Sequence, residues 1–306
     1  MGMLHAFVPI WLLVAAGYAA RRWRLLGDGA VTVLGWFVFH LAMPAALFVT
    51  LARTPLAGFD GRALAAFGSS TVLVTGAGWY GAGRFFDRKP GERAIWGMAS
   101  GYVNSANLGI PVAMQVLGKL SFLVQVVLLQ VLVVAPIILM TLDRHADAAG
   151  RVRLRRIATL PLRNPVILAS ALGIAASAAG VRAPSVVQMP LTWLAAAAVP
   201  TALVALVVSL CRLGSALDAG RAEIPVITAL KLIVQPAVAY AAGVLLQLPP
   251  DQLLAVVVCA GLPAAQNAFI FAQQYGVGEA IASRAVLTTT VLSLGSIAAT
   301  AALLGR

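Results

Sequence analysis

Apolar runs of about twenty residues recur along the whole chain, and each is long enough to cross a hydrocarbon core about 30 Å thick as one α-helix. Short polar or charged stretches separate them. The pattern predicts ten spans, at 3–20, 31–52, 63–83, 94–117, 121–141, 161–179, 188–211, 222–247, 251–275 and 281–303. No stretch is left over for a sizeable soluble domain. The expectation is therefore one all-α integral membrane protein with both termini on the same side.

Composition agrees. Of the 306 residues, 61% are hydrophobic and 10% are charged, whereas soluble proteins carry roughly 25% charged residues. The formal net charge of +12 would suggest nucleic acid in a soluble protein. Here the basic residues sit in short loops between apolar spans, so no nucleic-acid partner is expected. With the N-terminus outside the cytoplasm, 16 of the 22 Lys and Arg fall in cytoplasmic loops, 5 fall at outer ends, and Lys231 lies inside span 8. That bias predicts both termini outside the cytoplasm. Arg21, Arg22 and Arg24 follow the first apolar run, and no Lys or Arg precedes it. A signal peptide has the opposite polarity, so residues 3–20 are expected to remain as a helix. Cys211 and Cys259 share no motif with each other or with histidine, which predicts no disulfide, no metal and no cofactor.

The longest loop, 142–160, is basic and lies at the middle of the chain. It divides a first five-helix repeat, 1–141, from a second, 161–306. Gly17 and Pro44 are separated by the same 27 residues as Gly173 and Pro200. Pro-Ala-Ala-Leu (44–47) matches Pro-Thr-Ala-Leu (200–203). At a shift of 160, Gly101, Asn107 and Gly118 fall on Gly261, Asn267 and Gly278. Five helices is an odd number, so the second repeat must be inverted. Inverted repeats with a midplane site recur among secondary transporters.

Spans 4 and 9 carry the candidate chemistry. Gly101, Gly109 and Pro111 interrupt the first, and Gly261 and Pro263 interrupt the second. Proline removes a backbone donor and clashes with the preceding turn. Unwound backbone inside a membrane is tolerated only where protein buries it or it lines a wet cavity. The pattern predicts two broken helices crossing near the midplane, with half-helix N-termini that suit an anion. The amides of Asn104, Asn107, Gln266 and Asn267 can donate to a carboxylate without adding a permanent charge. Gln130 in span 5 and Thr290 in span 10 are related by the same shift of 160 and could face the crossing. Alternatively, these kinks and amides only pack helices, as Gln130 would by bonding a neighbour.

Five segments carry a family resemblance: Asn-Ser-Ala-Asn-Leu-Gly-Ile-Pro (104–111), Arg-Asn-Pro-Val-Ile-Leu-Ala (163–169), Ala-Val-Pro-Thr-Ala-Leu (198–203), Leu-Lys-Leu-Ile-Val-Gln-Pro (230–236) and Gly-Leu-Pro-Ala-Ala-Gln-Asn-Ala-Phe-Ile-Phe-Ala-Gln-Gln-Tyr-Gly (261–276). Together they resemble the auxin efflux carrier family, in order, from about residue 5 to 300. The bacterial members include proteins described as malonate and malate permeases. The resemblance implies ten helices in a bacterial inner (plasma) membrane. Spans 1, 2, 6 and 7 would form a scaffold that can pair into a homodimer. Spans 3–5 and 8–10 would form a transport core. Asn104 looks like the family's substrate-contacting asparagine, and Pro263 looks like the break in span 9. The plant carriers have proline immediately before that asparagine. Here Val103 stands there, which implies a gentler bend in span 4.

All ten acidic residues fall in predicted loops or at span ends. An intramembrane carboxylate is the usual proton or sodium relay, so its absence favours anions over cations. Two residues remain as coupling candidates. His40, four residues before Pro44, either titrates or packs a ring nitrogen on a backbone carbonyl. Lys231 either snorkels to the inner surface or attracts substrate. Tyr275, Trp23, Trp79 and Trp96 read as interfacial anchors. The three histidines are far apart and no HExxH, GxSxG or Walker pattern appears, which argues against an enzyme. The function expected is secondary transport of small organic anions by alternating access. A ligand-binding membrane sensor without flux is the alternative, and a passive channel is a further rival that saturable, exchangeable flux would separate.

Overall fold

The computed structural model describes residues 2–27, 29–53, 61–109, 112–113, 116–118, 121–146, 165–181, 184–212 and 222–304. Among them the regular structure is helical, apart from one isolated antiparallel bridge between Val103 and Ala264. The helices are α1 (Gly2–Arg22), α2 (Ala30–Ala52), α3 (Gly61–Phe85), α4 (Pro90–Gly101), α5 (Ser121–Ala146), α6 (Pro165–Ala178), α7 (Ser185–Arg212), α8 (Glu223–Leu245), α9 (Pro250–Ala260), α10 (Asn267–Tyr275) and α11 (Glu279–Leu304). Among the described residues five stretches are long and apolar enough to cross a membrane: Ala30–Ala52, Ser121–His145, Ser185–Val208, Glu223–Leu245 and Glu279–Thr300. Pro165–Ala178 and Pro250–Ala260 are shorter apolar helices. Large apolar side chains such as Leu12, Trp193 and Leu245 are exposed on the outside, as expected where lipid replaces water. This is a multi-pass membrane protein.

Among the described residues three helices widen into a π turn just ahead of a proline. The turns are Val38–Ala42 before Pro44, Gln130–Val134 before Pro136, and Leu230–Val234 before Pro236. Proline cannot donate to the carbonyl four residues back, and its ring collides with it. A π turn takes up one extra residue and relieves that collision. In α8 the carbonyl that Pro236 leaves without its usual partner is that of Leu232, and Ser296 of α11 donates its hydroxyl to it at 3.0 Å. His40, Gln130 and Lys231 each lie in one of these turns.

The helices pack in two sets of contacts. α1 lies on α7, and α2 lies on α6 and α7. α3 lies on α4, α8 and α9, while α11 touches α8, α9 and α10. Two close approaches in the first set occur at glycines. A Cβ on Gly17 would stand 3.0 Å from Val207 Cβ and 3.3 Å from Val204 Cα of α7. A Cβ on Gly173 would stand 3.0 Å from both Leu51 Cβ and Phe48 O of α2. Small residues let helices in lipid approach closely, which accounts for the matched spacing of these two glycines along the chain.

Candidate functional site

Two helices stop inside the bundle and their ends meet. α4 ends at Gly101, and Tyr102 is extended, with φ −87° and ψ 115°. α9 ends at Ala260, and α10 restarts at Asn267. Between the breaks the Asn104 N–H donates to Pro263 O at 2.8 Å, and the Ala265 N–H donates to Tyr102 O at 3.1 Å. Two unwound segments thus satisfy part of each other's backbone, as buried peptide groups require. Apolar residues close around them: Tyr102, Ala264 and Ala265 belong to one buried cluster, and Val103 and Leu262 to another.

The gentler bend implied by Val103 is not what forms. The helix stops completely at Gly101 without a proline. Gly101 sits against α3, where a Cβ would come 2.0 Å from Thr75 Oγ1. The main-chain pairing with 263–265 replaces the helical bonds that stop there. Val103 itself takes part in the bridge.

Several expected side chains gather at this junction. Asn104 is 5% exposed, and among the described residues its side-chain amide has no hydrogen-bond partner. Gln266 is buried as the residue preceding α10. The Asn267 side chain lies near the Tyr102 hydroxyl. Gln130 reaches in from α5, and its Oε1 accepts from Ser105 Oγ at 2.6 Å. Its Nε2 is buried without a partner among the described residues. Gly109 closes the Ser105–Gly109 π turn by donating to Asn104 O at 3.0 Å. Gly261 donates to Val257 O at 2.9 Å at the end of α9. The Asn107 side chain and Pro111 lie outside the described residues.

Thr290 is buried, but its hydroxyl donates to Val286 O on its own helix. Its neighbour Thr289 touches the break instead, accepting from the Ala264 N–H at 3.1 Å. Ser105 and Gln130 are 25 residues apart, as are Ala264 and Thr289. The two breaks are therefore each tied to a later helix at the same spacing, and Thr289 is the residue that a shift of 160 missed by one.

His40 stacks on Trp36 at 4.6 Å, and its Nδ1 lies 3.1 Å from Trp36 O. Its described contacts are with its own helix. Lys231 does not snorkel. It is 0% exposed, and its Nζ donates to Gln235 Oε1 at 2.5 Å and to Ala260 O at 3.0 Å. Gln235 was not singled out by the sequence, and its Nε2 donates to Gly101 O at 2.9 Å. Trp96 is not an interfacial anchor either. It is 0% exposed, and its Nε1 donates to Glu223 Oε2 at 2.7 Å.

The described acidic side chains Asp87, Glu92, Asp143, Glu223, Asp251 and Glu279 all lie in loops or near helix ends. A groove of about 970 Å³ between α8 and α11 is apolar, lined by residues such as Leu232, Pro236, Tyr240 and Leu292, and does not include the junction amides. What the junction offers is a buried set of neutral hydrogen-bond donors around two interrupted helices.

A family model described as "Membrane transport protein" matches residues 3–300. The chain is 31% identical over 307 aligned residues to a protein of Rhizobium meliloti (strain 1021) named "Putative malonate transporter", covering 95% of this chain and 92% of that protein. It is 26% identical over 280 residues to "Uncharacterized transporter YfdV" of Escherichia coli (strain K12), covering 88% of this chain and 87% of that one. A protein of the same name in Shigella flexneri matches to the same extent.

Proposed function

Because the chain belongs to the membrane transport protein family, the auxin efflux carrier family that its motifs resemble, we propose that it is a secondary transporter of small organic anions. The substrate carboxylate binds where spans 4 and 9 cross, held by Asn104, Asn107, Gln266, Asn267 and Gln130. The observation that carries this reading is the unpartnered donor at the junction. Gln130 has its oxygen taken by Ser105 and its buried Nε2 left open. A buried amide N–H without a partner is costly, and a carboxylate oxygen would satisfy it. The described acids stand away from the junction, so none of them competes for these donors.

The mechanism we assign is alternating access in a ten-span inverted repeat, with spans 3–5 and 8–10 moving against a scaffold of spans 1, 2, 6 and 7. The packing of α1 on α7 and of α2 on α6 supports that division. Burial of Asn104 and Gln266 fits a conformation closed over its site. We place both termini outside the cytoplasm; in either orientation, export of a monoanion gains about 2.3 kcal/mol per 100 mV of inside-negative potential. The name of the Rhizobium relative makes malonate the first substrate to try.

The test is the melting temperature of the purified protein against malonate, malate and an indole acid, with amino acids and inorganic cations as controls. A ligand at a hundred times its Kd adds about 2.7 kcal/mol of apparent stability. The expected result is a rise of several degrees with a carboxylate, and saturable counterflow of that carboxylate in proteoliposomes. Stabilisation by cations alone would overturn the anion reading. Stabilisation without counterflow would support the sensor alternative.

A further inference from the structure

Lys231 and Gln235 form a chain of donors between the ends of the two interrupted helices. Lys231 Nζ holds Ala260 O, the last residue of α9, and Gln235 Oε1. Gln235 Nε2 holds Gly101 O, the last residue of α4, and lies 3.4 Å from Thr71 Oγ1. Both side chains are 0% exposed, and the described partners of the Lys231 nitrogen are neutral. A lone ammonium taken from water into an apolar interior is very unfavourable, so Lys231 keeps its proton only where partial negative charge balances it. Each helix C-terminus carries about half a negative charge, and the two that meet here amount to about one elementary charge. The corresponding positions 160 residues earlier are Thr71 and Thr75, which carry no charge, so a single cation serves both ends.

We propose that Lys231, relayed through Gln235, is a built-in counter-cation for the C-termini of α4 and α9, so that anion binding at the junction needs no co-bound metal ion. The consequence for flux rests on the anion-transport reading above. The charge balance itself stands apart from it. Lys231 is a positioning residue: it fixes where the two helices end and how their dipoles are compensated. It does not touch the substrate.

The experiment compares Lys231→Arg, Lys231→Met and Lys231→Ala by melting temperature without substrate and by malonate counterflow in proteoliposomes. Lys231→Met fills the space without the charge. It should melt about 5 °C lower or more, with counterflow reduced about tenfold or more. Lys231→Arg should keep most of both. Lys231→Ala should fall like Lys231→Met, but propylammonium, which replaces the missing part of the side chain, should restore stability and counterflow. The same amine should do nothing for Lys231→Met, where the space is filled. Wild-type counterflow should be equal in sodium, potassium or choline. Wild-type stability and flux in Lys231→Met, or wild-type flux that requires sodium, would overturn the proposal. The wild-type cation series decides the matter even if a variant fails to fold. Failure of every carboxylate to bind would sink the anion reading, while the substrate-free melting series would still judge the counter-charge.

Discussion

The Asn104 N–H donates to the carbonyl of Pro263 across 2.8 Å, so the segment after α4 and the segment between α9 and α10 are joined by main chain. The Asn104 side chain takes no part in that bond. The structural and the ligand-facing roles of this residue are therefore separable.

Asn104→Ala should accordingly keep the fold and lose the ligand. The backbone bond survives the substitution, and the side chain removed has no described protein partner. A hydrogen bond to a charged group is worth about 1.5–3 kcal/mol, so carboxylate affinity should fall roughly ten- to a hundredfold. Titration of the melting temperature with malonate reads both quantities at once. An unchanged affinity would remove Asn104 from the site.

Gln130→Glu is the complementary test. The change is nearly isosteric, yet it replaces an unpartnered buried donor with an acidic oxygen. Ser105 Oγ can still donate to it, as it does to Gln130 Oε1. If Gln130 faces the anion, the glutamate should abolish carboxylate-induced stabilisation at pH 7, and Gln130→Leu should weaken it less. Retained carboxylate binding in Gln130→Glu would place the substrate elsewhere.

Much of this architecture is legible in the chain because lipid demands long apolar runs, and because Gly, Pro and Asn rarely meet at mid-depth without a reason. Gly17 and Gly173 also declare themselves, since their equal spacing to a proline reflects two tight helix contacts. What stays hidden depends on partners distant in sequence. Lys231 looks like a snorkelling lysine until Ala260, 29 residues later, is found at its nitrogen. Trp96 looks like an anchor until Glu223, 127 residues later, accepts from its indole. One local signal was available: a polar residue four places before Gln235, directly ahead of Pro236, marks a π turn that aims both side chains inward. Thr289 was missed for Thr290 because the internal offset is 160 at the glycines and 159 at these bonds.

The two break glycines should respond differently to alanine. A Cβ at Gly101 would meet Thr75 Oγ1 at 2.0 Å and Thr75 N at 2.9 Å, and the backbone atom cannot move aside cheaply. A Cβ at Gly261 meets nothing nearer than Val257 O at 3.4 Å. Gly101→Ala should cost about 1–3 kcal/mol through overpacking, whereas Gly261→Ala should lie within about 0.5 kcal/mol of wild type. Melting temperatures of the two variants check this. Equal losses would mean that α4 and α3 are not held as closely as Gly101 implies.

The last prediction concerns the end of the bundle where α3, α4 and α8 converge. Glu223, in the first turn of α8, accepts from the Arg88 guanidinium and from Trp96 Nε1. Its side chain is 4% exposed, while that of Arg88 is 25% exposed. The hydrogen bond to Glu223 raises the Arg88 pKa above its usual value, so the guanidinium stays charged throughout the physiological pH range. Breaking a buried ion pair costs about 3–5 kcal/mol, whereas an exposed one is worth under about 1. With one partner buried and the other partly wet, Glu223→Gln should cost about 1–3 kcal/mol. Trp96→Phe should cost about 1 kcal/mol, the worth of one hydrogen bond. A double-mutant cycle of Arg88→Ala with Glu223→Ala should give a coupling above about 0.5 kcal/mol, little changed by salt because Glu223 is shielded from solvent. A coupling near zero, or one that salt erases, would reduce the pair to an ordinary surface contact and leave the Trp96 indole as the bond that holds α4 to α8.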